Sequence, residues 1–465
     1  MKLDRRRFLA RSGAWLTAAA AGFVTGSFAS GPARGGTGPS IAPAGPGFGP
    51  LRKDPRGVLD LPAGFSYRIV SFPGQRMTDG FISPSLADGA AAFPGPKGTT
   101  LLVRNHEFRL GHPDDLGPFG GTKRLWEKLD RRLVHDWRPD GTPCLGSVTT
   151  TVYDTKRRKT LGQHLSLAGT LTNCSGGPTP WGTWLSSEEV FLGPGEACSG
   201  RHGYTYEVAM SAEPGVTVPV PLKGMGRFVK EGAAVDPRTG IVYQTEDLVD
   251  GIFYRFLPSS PGRLAEGGRL QALVVAGRPG FETNNWRTRT VENGQALATA
   301  WIDLEEPDPD EDVLRLRGRE KGAAVFASGE GLLHRDGAIL FACTNGGLRA
   351  KGQIWRYVPS PAEGTPREAD EPGRLELLAQ PDDAGVLDHP DQMTVAPWGD
   401  LLICEDGDGD NFVVGLTPAG AFYRFARMAP EVSEPAGACF SPDRTTLFLN
   451  DLPSGLTFAV TGPWK

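Results

Sequence analysis

The stretch Glu231-Gly232-Ala233-Ala234-Val235-Asp236-Pro237-Arg238-Thr239-Gly240-Ile241-Val242-Tyr243-Gln244-Thr245-Glu246-Asp247 carries the pattern that decides the fold. A polar residue opens it, small and apolar residues follow, and Asp-Pro-Arg-Thr-Gly makes a turn. A second apolar run then ends in acids. Short apolar runs bounded by Gly, Pro, Asp and Asn are the signature of strands joined by tight turns. The arrangement recurs along the chain. Asp88 runs through Gly95-Pro96 to Asn105-His106-Glu107, and Cys174 through Pro178-Thr179-Pro180 to Glu188-Glu189. Glu330 runs through Asp336-Gly337 to Asn345, Asp391 through Trp398-Gly399 to Glu405-Asp406, and Glu434 through Ser441-Pro442-Asp443 to Asn450-Asp451.

Radial repetition of such hairpins predicts an all-β, six-bladed β-propeller whose first strands line a central channel. In a β-sandwich the same points would hold turn formers, mostly Asp, Asn and Gly. Glutamate is a poor turn former, so its recurrence there needs another reason. Between the hairpins, runs such as Thr100–Val103, Val148–Tyr153, Ala338–Ala342 and Thr446–Leu449 also read as strands. Helical periodicity is confined to Arg124–Val134 and, more weakly, Glu305–Arg319, which predicts a few short helices in insertions.

The beginning of the chain reads as a targeting segment. Arg5-Arg6-Arg7-Phe8-Leu9 precedes an alanine-rich apolar run from Ala14 to Val24, and Ser27-Phe28-Ala29 offers a small-x-small cleavage site. The run is shorter than the roughly 20 apolar residues a membrane anchor needs. The expected organisation is a twin-arginine signal peptide over 1–29, a flexible Gly/Pro/Ser/Ala linker over 30–50, and one propeller domain over 51–465. The expected partner during export is the twin-arginine translocation machinery. The expected location is the periplasm or the extracellular medium, with no stable membrane anchor and a monomeric mature chain.

The whole chain holds 49 Lys and Arg against 54 Asp and Glu. Residues 1–29 account for five of the basic residues and one acid, so the remainder carries 44 against 53, a formal −9. That balance argues against a nucleic-acid groove or an anionic-lipid surface, which need a basic face. It suits a chain that gathers carboxylates around hard cations.

Crowded carboxylates raise one another's pKa, and bound cations remove the repulsion. Oxygen-rich cages suit calcium, whereas a thiolate among them selects a softer transition metal. Cys174 lies in the glycine-rich Thr172-Asn173-Cys174-Ser175-Gly176-Gly177 rather than in an apolar strand, and reads either as that thiolate or as a small buried hydrophobe. Cys343, Cys404 and Cys439 sit in strand-like runs as buried thiols, while Cys144 and Cys198 lie in loop-like sequence and could pair. His106 reads equally as a metal ligand or as a hydrogen-bonded structural histidine. Glu405-Asp406-Gly407-Asp408-Gly409-Asp410-Asn411 looks like a calcium loop, but Thr417 stands where an EF-hand needs Glu, so at most it lends a carboxylate to a shared cluster. Phosphate loops and serine-hydrolase elbows are absent from the sequence.

Several motifs resemble the PhoX-type alkaline phosphatases: Asn105-His106-Glu107, the segment from Asn173 through Cys174 to Trp184, Gly226-Arg227-Phe228-Val229-Lys230-Glu231, Tyr243–Asp247, Gly329-Glu330-Gly331, Glu434-Pro435-Ala436-Gly437 and Thr461-Gly462-Pro463-Trp464. The resemblance implies a six-bladed propeller with a channel cluster of calcium (Ca2+) and iron (Fe3+), and a small phosphate-ester substrate. By motif, Cys174 is the iron-bound cysteine, and Cys174, Glu189, Glu231 and Glu330 form the catalytic set. Glu107, Glu246, Asp250, Glu405 and Glu434 complete the implied metal ligands. That family carries an arginine two residues before the glutamate matched by Glu330, and this chain has Ser328 there. The missing guanidinium removes a bidentate phosphate clamp, with Arg227, Arg319 or Arg349 as substitutes to consider. The expected function is therefore an exported metal-dependent phosphatase. The alternatives are a calcium-dependent propeller lactonase or esterase, and a non-catalytic propeller stabilised by its metals; site chemistry rather than fold ranks them.

Overall fold

Asp236 shows how each hairpin turns. Its carbonyl accepts from the Gly240 N–H at 2.8 Å, its carboxylate accepts from the Arg238 N–H at 2.8 Å, and its own N–H donates to the Ile241 carbonyl at 3.0 Å. Lys230–Val235 and Val242–Glu246 thereby pair antiparallel, with Lys230 opposite Glu246. Pairing then slips by one residue before Ala233 meets Gln244. The same slip follows the first residues of Ala87–Pro94, Asn173–Pro178, Gly329–Arg335, Pro390–Val395 and Pro435–Phe440. Such a bulge bends the strand and re-aims a side chain.

The computed structural model describes residues 46–195, 197–429 and 433–465, so the expected leader and most of the linker lie outside the described residues. The architecture is all-β and propeller-like, with each bulged strand innermost in its sheet. Ala87–Pro94 lies against Asn173–Pro178, which lies against Lys230–Val235, followed by Gly329–Arg335, Pro390–Val395 and Pro435–Phe440, which returns to Ala87–Pro94. Two sheets are joined at their outer edges where Ala296–Leu304 pairs with Arg374–Ala379. Ser66–Ser71 adds to the last sheet by pairing with Leu456–Thr461, so early and late chain share one sheet. Phe48, in the stretch expected as linker, packs on Phe65, Trp398, Phe425 and Trp464 beside that seam.

The expected strands match observed ones to within one residue, Thr446 lying just ahead of Leu447–Asp451, and Cys343, Cys404 and Cys439 are buried in strands. The helices are shorter than periodicity suggested. Arg124–Val134 resolves into one turn at Lys123–Trp126 and a 3-10 turn at Arg131–Leu133, because Asp130 caps the second turn and breaks the first. The second expected helix is confined to Leu314–Glu320.

Neighbouring inner strands approach so closely that a side chain between them is excluded. A Cβ on Gly331 would sit 2.6 Å from the Asp391 carbonyl oxygen, and one on Gly437 (φ +59) would sit 2.3 Å from that of Asp88. Gln392 spans the remaining gap, accepting from the Gly437 N–H and donating to Asp88 Oδ1, both at 2.5 Å. Gly437→Ala is expected to cost at least about 2 kcal/mol more than Gly420→Ala, where φ is also positive but no atom lies within 4 Å. Urea-unfolding midpoints of the two variants measure the difference.

Candidate metal centre

Each hairpin delivers inward residues from two places: the second position of its inner strand, and the residue just past the end of its second strand. The first set is Asp88, Cys174, Glu231, Glu330 and Asp391. The second is Glu107, Glu189, Asp247 and Asp406. A recurring backbone bond fixes the second set, whose N–H donates to the carbonyl of the residue preceding the inner strand. The pairs are Glu107 to Leu86 (3.0 Å), Glu189 to Thr172 (2.8 Å), Asp247 to Val229 (3.3 Å) and Asp406 to His389 (2.9 Å). Thr344 to Ser328 and Leu452 to Glu434 (both 2.9 Å) complete the set without adding acids. Leu86, Thr172, Ser328 and His389 all take positive φ to present that carbonyl. In the last hairpin Ala436 and Leu452 hold the ligand positions, and Glu434 reaches the cluster from before the strand instead.

Because strand side chains alternate, the residue one step earlier faces away from the channel. His106 Nδ1 donates to the Ser85 carbonyl at 2.9 Å and Nε2 pairs with Thr149 Oγ1 at 2.8 Å, which makes it structural. Glu246 accepts from Tyr254 Oη and the Ile252 N–H, and Glu405 from the Asp388 and Phe412 N–H groups. Asp250 pairs with Arg315 at 3.0 Å and Arg319 at 2.7 Å. Glu246, Glu405 and Asp250 were expected as ligands; these outer contacts engage Glu405, Asp250 and one oxygen of Glu246, whose Oε1 is buried without a hydrogen-bond partner. The cluster acids left out of that expectation are Asp88, Asp247, Asp391 and Asp406. Each stood in the repeat, and the strand parity that selects Asp247 over Glu246 and Asp406 over Glu405 is set by register.

The ligand atoms of Cys174, Glu189 and Glu231 lie within 4.8 Å of one another, as do those of Glu231, Glu330 and Asp391, so Glu231 joins two groups. Burial, then neighbouring acids, push Asp88, Glu189, Glu231, Glu330, Asp391 and Glu434 well above the ordinary carboxylate range. Burial and the acids Asp88, Glu231 and Glu189 likewise raise the Cys174 thiol. Both carboxylate oxygens of Glu231, Asp88 Oδ2 and Asp391 Oδ1 are buried without a hydrogen-bond partner. Such oxygens are costly unless a cation meets them. The donor set, many oxygens and one sulfur, fits hard cations beside one softer metal.

Beside the cluster is a cavity of about 390 Å³ lined by Asp247, Ser328, Glu330, Asn345, His389 and Asp406, among others. Asn345 Nδ2 donates to Ser328 Oγ at 2.9 Å. Among the suggested replacements for the missing clamp, Arg227 is buried and donates to the carbonyls of His202, Pro309 and Leu192, while Arg319 serves Asp250. The guanidinium that touches the cluster is instead Arg109, largely exposed, at 2.7 Å from Glu107 and 3.3 Å from Glu189.

An acid whose pKa is raised on folding binds a proton that the unfolded chain releases. Its stabilising contribution is therefore present below the unfolded value, 3.8 for Asp and 4.5 for Glu, and lost as pH rises through the folded value. Metal-stripped protein should lose more than about 5 °C of Tm between pH 5 and 9 on this account. Saturating calcium should flatten the slope; thermal unfolding at a series of pH values, with and without the ion, checks both.

A family model described as alkaline phosphatase PhoX matches residues 46–118 and 146–451. Among solved structures, Pseudomonas fluorescens PhoX in complex with vanadate, a transition state analogue, aligns with a TM-score of 0.62 at 18% identity, over 90% of this chain and 98% of that one. A gluconolactonase from Xanthomonas campestris aligns at TM-score 0.38 and 10% identity, over 90% of this chain and 99% of the other. No curated protein sequence matches the chain. The lactonase likeness is too distant in geometry to bear on function, and the PhoX structure supports the propeller fold. The family model spans most of the described residues, and on that match the chain belongs to the PhoX alkaline phosphatase family.

Proposed function

We propose that the protein is a metal-dependent phosphatase of six blades, exported by the twin-arginine route to the periplasm or beyond, that hydrolyses phosphate monoesters at a calcium and iron cluster. The observation that carries this reading is the group of buried, unpartnered carboxylate oxygens on Glu231, Asp88 and Asp391 beside the Cys174 thiol. Membership of the phosphatase family supports the reaction class.

Cys174, Glu189 and Glu231 would hold iron, since sulfur selects it over calcium. Asp88, Glu107, Asp247, Glu330, Asp391, Asp406 and Glu434 would serve the calcium ions. The bound cations supply Lewis-acid polarisation of the phosphate and activation of the attacking water. The chain's own residues do the rest. The cavity admits a phosphate head, and its carboxylates turn away an anion until cations offset them. Asn345 holds the Ser328 oxygen as acceptor, which leaves the hydroxyl proton free to donate to a phosphate oxygen. Arg109, reaching from the opposite hairpins, would supply the guanidinium lost at Ser328.

Protein purified from its native compartment is expected to contain both iron and calcium and to hydrolyse p-nitrophenyl phosphate; absence of both metals by elemental analysis would end the reading. Cys174→Ala should lose iron and phosphatase activity together. Arg109→Ala should raise KM roughly tenfold or more and weaken inhibition by inorganic phosphate with a smaller change in kcat. An unchanged KM would mean that Arg109 serves only to neutralise Glu107 and Glu189.

A further inference from the structure

Away from the channel, a second group of metal-capable side chains is fully enclosed. Asp136, Cys144, Cys198 and His202 are between 0% and 5% exposed. They come from two segments: the Cys144 N–H donates to the Asp136 carbonyl at 3.1 Å, and the His202 N–H to that of Leu192 at 2.8 Å, which shapes the loop carrying Cys198. Asp136 Oδ2 also accepts from the Ser199 and Gly200 N–H groups at 3.0 and 2.9 Å, drawing that loop against the first segment. The two cysteines that sequence suggested could pair are both free thiols here.

Three of the four side chains are already spaced as ligands of one ion, with the fourth beside them. His202 Nε2 is 3.1 Å and Cys144 Sγ 3.9 Å from Asp136 Oδ2, and the ligand atoms of Asp136, Cys198 and His202 lie within 4.8 Å of one another. Tetrahedral bonds of about 2.0–2.3 Å place ligand atoms roughly 3.3–3.8 Å apart, so Asp136, Cys198 and His202 need only a small contraction around an ion, while Cys144, outside that group of three, must swing its sulfur further in. An independent feature points the same way. The other imidazole nitrogen, Nδ1, is 2.7 Å from Glu188 Oε1, and Glu188 is itself held by the N–H groups of Leu171, Gly203 and Tyr204. A rigid carboxylate behind a histidine is how proteins fix the tautomer and direction of a metal-ligating ring. Without an ion, a protonated His202 satisfies Glu188 and Asp136, while Cys198 Sγ donates to the Gly193 and Gly200 carbonyls at 3.2 and 3.4 Å and Cys144 Sγ to Asp136 Oδ2 at 3.9 Å; a bound ion would replace those weak thiol bonds with thiolate ligation.

We propose that Asp136, Cys144, Cys198 and His202 form a closed, four-ligand site for a zinc-class divalent cation, distinct from the channel cluster. With no open position, the ion is structural. It ties the 136–144 segment to the loop ending at His202 and, through Glu188, steadies the backbone that presents the neighbouring Glu189 to the channel.

The test uses the full chain purified without chelator. Elemental analysis is expected to find one zinc-class ion per chain that survives in Cys174→Ala and is lost in Cys198→Ser. Cobalt exchange should give a sulfur-to-cobalt charge-transfer band in the near ultraviolet, absent from Cys198→Ser. Should that variant fail to fold, the wild-type protein carries the test: chelation should speed alkylation of Cys144 and Cys198 by roughly tenfold or more, because the metal-bound thiolates are shielded until then. A Cys144–Cys198 disulfide in the mass spectrum of unreduced protein would overturn the proposal. So would two free thiols with no bound ion at saturating zinc, which would leave His202 as a plain ion pair with its carboxylates.

Discussion

The hydrogen bond from the residue past each second strand to the carbonyl before each inner strand is the constraint on which the centre depends. It closes the open end of every hairpin and determines which side chain turns to the axis. In four of the six hairpins the accepting residue, Leu86, Thr172, Ser328 or His389, makes that bond from a left-handed backbone that costs about 1–2 kcal/mol for a side-chain-bearing position. A net hydrogen bond returns about 1 kcal/mol. The balance at the foot of those four hairpins is thus close to neutral, and the arrangement is held by what surrounds it: the bulged strand on one side and the adjoining sheets on the other. Ser328 and His389 are both in this strained set and both line the cavity, so the backbone geometry that points carbonyls at the hairpin feet also aims two polar side chains at the same space.

Crowding follows directly. Inner strands that touch through Gly331 and Gly437 bring acids from different sheets within reach of one another, and Glu231 belongs to two groups at once. Without cations the cluster favours protonated carboxyls; with them it favours carboxylates. The protein's resistance to unfolding and its readiness to bind metal are consequently two views of one electrostatic balance, and Arg109 is the single guanidinium among the described residues in contact with the acids of that balance.

The repeat was legible in the sequence because a hairpin leaves its mark in order: polar residue, apolar run, turn, apolar run, acid. Cys174, Glu189, Glu231, Glu330, Glu107 and Glu434 all stand at the ends of that pattern, and it was the motif resemblance that named them as ligands. The pairs Glu246-Asp247 and Glu405-Asp406 could not be resolved, since adjacent residues on a strand face opposite ways and only the cross-strand register says which faces in. Asp250 was misplaced for another reason: it lies beyond the strand in a turn, where Arg315 and Arg319 from a helix far along the sequence claim it. Arg109 left no signal at all. Its position over Glu107 and Glu189 depends on a loop whose course no local pattern encodes.

The seam between Ser66–Ser71 and Leu456–Thr461 has a consequence in time. The first and last hairpins meet through contacts such as Asn450 with Asp88, 362 residues apart in the chain. Such contacts form late, because a long loop must close before they return any free energy. Synthesis runs from the first sheet to the last, so Asp88 and Glu107 wait exposed on a nascent chain while their counterparts Asp391 and Glu434 have yet to emerge from the ribosome. The cage therefore exists only after translation ends, and any ion it traps is taken from the compartment in which the finished chain closes.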